Sequence, residues 1–324
     1  MDSIFKLSGV KLLRIISLVG VMIVAAYLAP ILAKAGGIVD VALGIGLAPL
    51  ALVLALSLAN YGLRYLRWHY YIRALGHRVP DGAHLAIYLA GFALTATPGK
   101  AGEVIRTVYL SPHGVTATDS IGVLLLERAL DLVAIALLSL LLFANLTIFI
   151  AACVTSVLAL ALLSPLLNLK WLRRIEGLAF FKRLNRLRKR LPSRHALEHF
   201  SSVLLRPFPL ILGMMLGLAA WFAEAYGVYV LVIAVKEQIP VLAAAGAYSA
   251  SILIGVISML PGGLGSTEAS MTLLLREQGL SVNTSLVVTM ICRLATLWFA
   301  VGIGLLALTW LGLAPKAAMK KTSQ

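Results

Sequence analysis

Charge is scarce in this sequence. Only 13% of its 324 residues are Asp, Glu, Lys or Arg and 60% are hydrophobic, whereas a soluble domain has about a quarter charged residues. That deficit excludes an ordinary water-soluble globular protein. Also missing are a nucleophile–base pairing, a paired His/Asp metal spacing, a phosphate-binding Walker loop and any polar stretch long enough for a soluble catalytic domain. No catalytic residue, metal or cofactor is therefore expected. The two cysteines, Cys153 and Cys292, lie inside apolar runs, without the spacing of a metal knuckle or disulfide framework, and are read as small core hydrophobes.

What is present is a series of long, unalternating apolar runs. A hydrocarbon core about 30 Å thick takes roughly 20 apolar residues per crossing, and only helices or closed barrels satisfy their backbone there. Runs without alternation select helices. The fold class expected is an all-α polytopic membrane protein, one integral membrane domain over residues 1–324.

Acidic residues are scarcer than basic ones, 13 against 28, for a net charge of +15. In a soluble protein that excess would suggest nucleic acid. Here the bases crowd into Leu169–His195, between two apolar spans, as the positive-inside rule predicts for a cytoplasmic loop. Residues 169–206 are read as a basic amphipathic linker lying on anionic headgroups, and no nucleic-acid partner is expected.

Charge and parity set the topology. Lys6, Lys11 and Arg14 start Leu12–Leu32 at the inner face, in a layout like a signal peptide but with a longer apolar core, so it is read as a retained first helix. Leu47–Leu63 returns to the inner face, marked by Arg64, Arg67, Arg73 and Arg78 with Trp68, Tyr70 and Tyr71. Ile121–Phe143 and Leu146–Leu167 form a hairpin ending at the basic loop, Leu210–Ile233 leaves the inner face, and Leu286–Leu311 ends inside before Lys316, Lys320 and Lys321. Both termini are expected in the cytoplasm and the protein in the cytoplasmic (inner) membrane.

Two segments fit no simple crossing. His84–Leu110 has both ends inside and contains "TPGKAGEVIR"; Val241–Leu280 has both ends outside and contains "LPGGLGSTEAS". Proline removes a donor and glycine permits positive φ, so each is read as a re-entrant hairpin turning at Pro-Gly. From Pro98 to Arg128 is 30 positions and from Pro261 to Arg293 is 32. The expectation is an inverted repeat, residues 44–143 and 208–312, with six full transmembrane helices and two broken helical hairpins meeting near the midplane.

Irregular backbone at depth needs a protein or water lining, so the glycines imply a cavity. Gly99, Gly102, Gly262, Gly263 and Gly265 are expected to let a headgroup approach bare backbone. Lys100, Arg106, Arg128 and Arg293 are candidate anion contacts, favoured by half-helix N-termini. Glu103, Glu127, Asp131 and Glu268, with Glu224 in "WFAEAYG" as a weaker member, are candidate gating or proton-carrying carboxylates. Intramembrane charge costs about 2.5–3.5 kcal/mol on insertion scales; helix locking and substrate contact both stay open as its purpose. His84 and His113 are read as ordinary surface histidines near the inner interface.

"TPGKAGEVIRTVYL", "LLLERALDL", "LPGGLGSTEASM" and "ICRLATLWF" resemble the flippase-like family, also called the lysylphosphatidylglycerol synthase transmembrane region, over roughly Leu12–Leu311. The resemblance implies translocation of lipids with charged or sugar-bearing headgroups. Its best-known members carry a cytosolic aminoacyl transferase; this chain contains none, so synthesis of aminoacyl lipid is not implied. The function expected is a flippase or scramblase, not an enzyme, whose partners are membrane lipids with anionic headgroups. One alternative is a membrane-embedded transferase on lipid-linked substrates, disfavoured by short outside loops. Another is a non-transporting partner that docks a lipid-modifying synthase or glycosyltransferase through the basic loop.

Overall fold

A computed structural model of the chain describes residues 38–97, 102–142, 150 and 194–313. Several expectations fall outside the described residues: the Leu12–Leu32 and Leu146–Leu167 spans, Cys153, the basic segment up to position 193, the tip residues Pro98, Gly99 and Lys100, and the terminal lysines.

All regular structure among the described residues is helical. The helices are α1 (Ile38–Gly44), α2 (Leu47–Ala74), α3 (Asp81–Ala90), α4 (Ile105–Leu110), α5 (Ala117–Ser139), α6 (Arg194–Leu204), α7 (Pro207–Ala234), α8 (Val241–Ile257), α9 (Ser266–Glu277), α10 (Val282–Arg293) and α11 (Phe299–Leu313). Among the described residues, three stretches are long and apolar enough to cross a membrane: α2, α7 and the near-continuous Val282–Gly312. At 1.5 Å per residue, the 28 residues of α2 and of α7 each span about 42 Å, more than the hydrocarbon thickness. The 23-residue α5 is also long, but carries Asp119, Glu127, Arg128 and Asp131.

Local chemistry sets the helix ends. Pro80, Pro207, Pro240 and Pro261 stand at helix starts, where a missing N–H costs nothing. Thr116 and Ser281 cap α5 and α10 by accepting the N–H of Asp119 and Thr284 at 3.1 Å. The two long helices end alike. Gly76 (φ 89°) and Lys236 (φ 62°) both adopt left-handed backbone, and His77 and Glu237 donate back to the carbonyls of Ile72 and Val232 at 3.2 Å. These are Schellman turns, and each is followed four residues on by a proline that opens the next helix.

α2 and α7 pack antiparallel along a seam of small residues. A Cβ on Gly227 would meet Val53, Asn60 donates to the carbonyl of Ala220 at 2.8 Å, Arg67 to that of Gly213 at 3.3 Å, and the Tyr71 hydroxyl to that of Pro209 at 3.1 Å. Numbers rise along one helix as they fall along the other. Gly213, Ala220 and Gly227 recur every seven residues, the period of a left-handed helix pair, and their small size admits close approach where no hydrophobic force drives association.

Around this pair the packing is reciprocal. The α3 hairpin rests on α11, and α8 rests on α5. A Cβ on Gly304 of α11 would strike the backbone of Phe92 and Ala93, and one on Gly246 of α8 would stand 2.7 Å from the backbone nitrogen of Leu142.

Helix is interrupted at the second Pro-Gly string, and on either side of the first, which lies outside the described residues. The first helix tightens into a 3-10 turn at Gly91–Leu94 and helix resumes fully at Ile105; the second stops at Ile257 and resumes at Ser266. One boundary differs from expectation. α2 continues past Leu63 to Ala74, and Arg64, Arg67, Trp68 and Tyr71 are buried in the bundle. His84 is likewise buried, where its Nε2 accepts from Trp68 Nε1 at 3.0 Å. The cause is partners supplied by other helices, described next.

Candidate functional site

The second tip is shaped by three left-handed glycines, Gly262 (φ 60°), Gly263 (φ 66°) and Gly265 (φ 83°). A Cβ on Gly263 would come within 2.5 Å of Thr267 Oγ1 and 3.1 Å of the Gly255 Cα, so the tip packs backbone against α8. Gly265 faces open space and is needed for its φ alone. Its N–H donates to Glu268 Oε2 at 2.6 Å, a carboxylate at the N-terminus of α9. In the first tip, Gly102 donates to Thr97 Oγ1 at 2.7 Å and lies against Leu94.

The tips touch. A Cβ on Gly262 would stand 3.4 Å from the Cα of Ala96 and 3.3 Å from Leu297. Two broken segments more than 150 positions apart in the sequence thus meet at glycine.

Charges gather on both sides of this junction. On the second, Arg293 Nε donates to Glu268 Oε1 at 2.6 Å and its Nη2 to the Gly262 carbonyl at 2.7 Å. On the first, Arg64, Arg67, Arg106 and Arg128 surround Glu103, Glu127 and Asp131. Arg67 is the most fully satisfied, with Nη2 2.7 Å from Asp131 Oδ1, Nε 3.4 Å from Glu127 Oε1 and Nη1 donating to Gly213. Arg106 pairs with Glu103 at 2.9 Å and Glu127 at 3.5 Å, and its guanidinium lies 4.1 Å from the Tyr88 ring centroid. Arg128 reaches Asp131 Oδ2 at 3.3 Å and Glu103 Oε2 at 3.6 Å, while Arg64 reaches the same Asp131 Oδ2 at 3.5 Å. Removing charges this deeply buried from water is tolerable only because each has a counter-charge.

A cavity of about 410 Å³ opens between the tips and this network. Its wall includes Arg64, Arg128 and Asp131, Thr95 and Thr97 of the first tip, Gly262 and Gly263 of the second, and Arg293. Tyr61, Trp221, Glu224 and Tyr248 line another part, where the Tyr248 hydroxyl donates to Glu224 at 2.6 Å. Below Arg293 the helix widens into a π-turn, Leu294–Trp298, whose Thr296 carbonyl accepts from Tyr61 at 2.6 Å; such widenings recur at functional sites.

The structure therefore brings Arg128, Arg293, Asp131, Glu224, Gly262 and Gly263 onto one cavity and holds Glu268 against Arg293. Glu103, Arg106 and Glu127 stand behind the wall, fully buried. Gly102 and Gly265 support the tips, and Gly99 and Lys100 lie outside the described residues. Among the described residues no group of three His, Cys, Asp or Glu side chains is placed to hold a metal. Arg64, Arg67, Tyr61, Trp221 and Tyr248 were not among the expected site residues. A signal for part of them exists: Ser57, Asn60, Arg64, Arg67 and Tyr71 recur at spacings of three and four, a polar stripe along an apolar helix.

Comparison with known proteins agrees with a membrane protein. The family described as the lysylphosphatidylglycerol synthase TM region matches residues 10–304. A UPF0104 membrane protein of Methanothermobacter thermautotrophicus is 25% identical over 274 residues, covering 76% of this chain and 80% of that protein.

Proposed function

This chain belongs to the lysylphosphatidylglycerol synthase transmembrane-region family, and on that premise we propose that it moves a lipid with an anionic, phosphate-bearing headgroup across the cytoplasmic membrane, as a flippase or scramblase. The observation that carries the reading is that Arg128 and Arg293, one from each half, line the same cavity as both broken tips. Guanidinium groups offer planar donor forks that match phosphate oxygens, and the glycine backbone lets a headgroup approach closely. The tails stay in lipid. The Arg293–Glu268 and Arg128–Asp131 pairs are the contacts that a phosphate replaces as it enters and that re-form as it leaves, so the free-energy difference between loaded and empty states stays small.

The antiparallel α2–α7 pair, the matching turns that end both helices and the reciprocal packing of the hairpins support an inverted repeat of six spans and two re-entrant hairpins, and the basic residues of Leu169–His195 favour both termini in the cytoplasm. The activity is transport rather than catalysis. The test is the purified protein in vesicles carrying labelled anionic lipids, with headgroup accessibility to a membrane-impermeant reagent as the readout. Transport that is lost in Arg128→Gln and Arg293→Gln with the proteins inserted and folded is the expected result. Unaltered transport in both variants, or none in the wild type with any anionic lipid, overturns the reading.

A further inference from the structure

Arg64 and Arg67 stand one turn apart on α2, equally buried, and their surroundings differ in kind. Arg67 donates from all three guanidinium nitrogens to fixed acceptors, and does not reach the cavity. Arg64 lines the cavity. Its Nε and Nη2 make no hydrogen bond, although the residue is only 4% exposed. Its one ion pair among the described residues, at 3.5 Å, is to an Asp131 oxygen that it shares with Arg128, whose Nε and Nη2 also make no hydrogen bond. The guanidinium is framed by rings, 5.6 Å from that of Trp221 and 6.0 Å from that of Phe92, which hold it in place without using its donors.

A buried guanidinium with idle N–H groups is costly, because its lost hydration has no replacement. Helix locking does not account for the arrangement: Arg67 already locks α2 to α5 through the other Asp131 oxygen, at 2.7 Å. Two guanidinium groups at a cavity wall, each with its Nε unbonded and its Nη2 only loosely paired with one shared carboxylate oxygen at 3.5 and 3.3 Å, offer spare donors to an oxyanion.

We propose that Arg64, together with Arg128, directly binds one phosphate-type oxyanion in the cavity, and that Arg67 is the structural arginine that holds Asp131 and Glu127 in place behind it. The assignment rests on the transport reading for its biological purpose, but the binding site is testable without transport. Its shared chemistry is a phosphodiester, supplied by a lipid headgroup or by a free phosphate. On ligand entry, the donors of Arg64 and Arg128 turn from the shared Asp131 oxygen to the ligand. Asp131 stays held by Arg67, so the loaded site does not release a bare carboxylate into the bundle.

The experiment is calorimetric titration of the full-length detergent-purified protein with two probes, a short-chain phosphatidylglycerol and dimethyl phosphate, with melting temperature recorded alongside. Wild type is expected to bind the lipid probe, and Arg64→Gln to bind it roughly tenfold to a hundredfold more weakly, the range for losing a charge-assisted hydrogen bond, at a nearly unchanged melting temperature. Arg64→Lys keeps the charge without the planar fork and is expected to fall between them, which preserves the test should Arg64→Gln fold poorly. Arg67→Gln is expected to lower the melting temperature instead. Equal binding of dimethyl phosphate identifies a free phosphodiester as sufficient; binding of the lipid probe alone identifies the lipid headgroup. Wild-type affinity in both Arg64 variants, or no binding of either probe by wild type, overturns the assignment. Normal binding in a protein that transports no lipid overturns the transport reading and leaves this site standing.

Discussion

Glu268 and Arg293, 25 positions apart, form a joint that ties both sides of the second tip. Arg293 donates to Glu268 Oε1 at 2.6 Å and to the Gly262 carbonyl at 2.7 Å, and Glu268 Oε2 accepts the Gly265 N–H at 2.6 Å. The corresponding contact in the first half, Arg128 to Glu103, is longer at 3.6 Å. In the first half Glu103 is held instead by Arg106, at 2.9 Å.

Glu268→Gln keeps an acceptor for the Gly265 N–H and leaves Arg293 its bond to Gly262, but removes the charge that a lipid phosphate has to displace. The expected outcome is a changed transport rate at a cost of less than about 2 kcal/mol in stability. Vesicle accessibility assays and thermal melts check this together. Early melting with normal transport by the surviving fraction makes Glu268 a helix lock and ends the gating idea.

Asp131 serves three arginines, whereas Glu127 serves two. Breaking a buried ion pair by removing one partner costs about 3–5 kcal/mol. Asp131→Asn is accordingly expected to destabilise the protein more than Glu127→Gln does, and the order of their denaturation midpoints is the measurement. Equal midpoints would mean that the arginines of the network are interchangeable.

The tip glycines are expected to separate by mechanism. Gly263→Ala adds left-handed strain to a Cβ set against Thr267 and the Gly255 backbone, and the overpacking is expected to cost about 1–3 kcal/mol beyond that strain. Gly265→Ala meets nothing and carries only the left-handed strain of about 1–2 kcal/mol. Gly262→Ala combines that strain with pressure on Ala96 and Leu297, so it is expected to slow transport more than its melting temperature implies. Parallel melts and transport rates for the three variants distinguish these cases.

The α2–α7 seam predicts a defect far from the tips. A Cβ on Gly217 would lie 2.8 Å from Arg67 Nη1, and valine there pushes that guanidinium off its acceptors. Gly217→Val is expected to lower the melting temperature, whereas Gly62→Val, on α2 where a Cβ meets nothing within 4 Å, is not. Similar melting of the two variants would show that helix propensity, not the seam, sets the effect.

Membrane residence, helical class, the two breaks and much of the charged set were legible in the sequence, because each is written locally. Apolar run length sets the long helices, Pro261-Gly262 marks the second break, and Glu127, Arg128 and Asp131 fall within about one turn of α5. The roles of Arg64 and Arg67 were not legible. After an apolar run, arginines beside tryptophan and tyrosine read as an interface, and the acids that draw them inward sit on α5, 60 or more positions away. The meeting of Gly262 with Ala96, the shared Asp131 oxygen and the cavity between the tips depend likewise on contacts between distant segments. The sequence by itself determined that the chain is helical and suited to a membrane, since backbone hydrogen bonding in lipid leaves few choices. Tertiary structure alone decided which charges are satisfied and which face the cavity, because the cost of a buried charge is set by the partners that other helices bring to it.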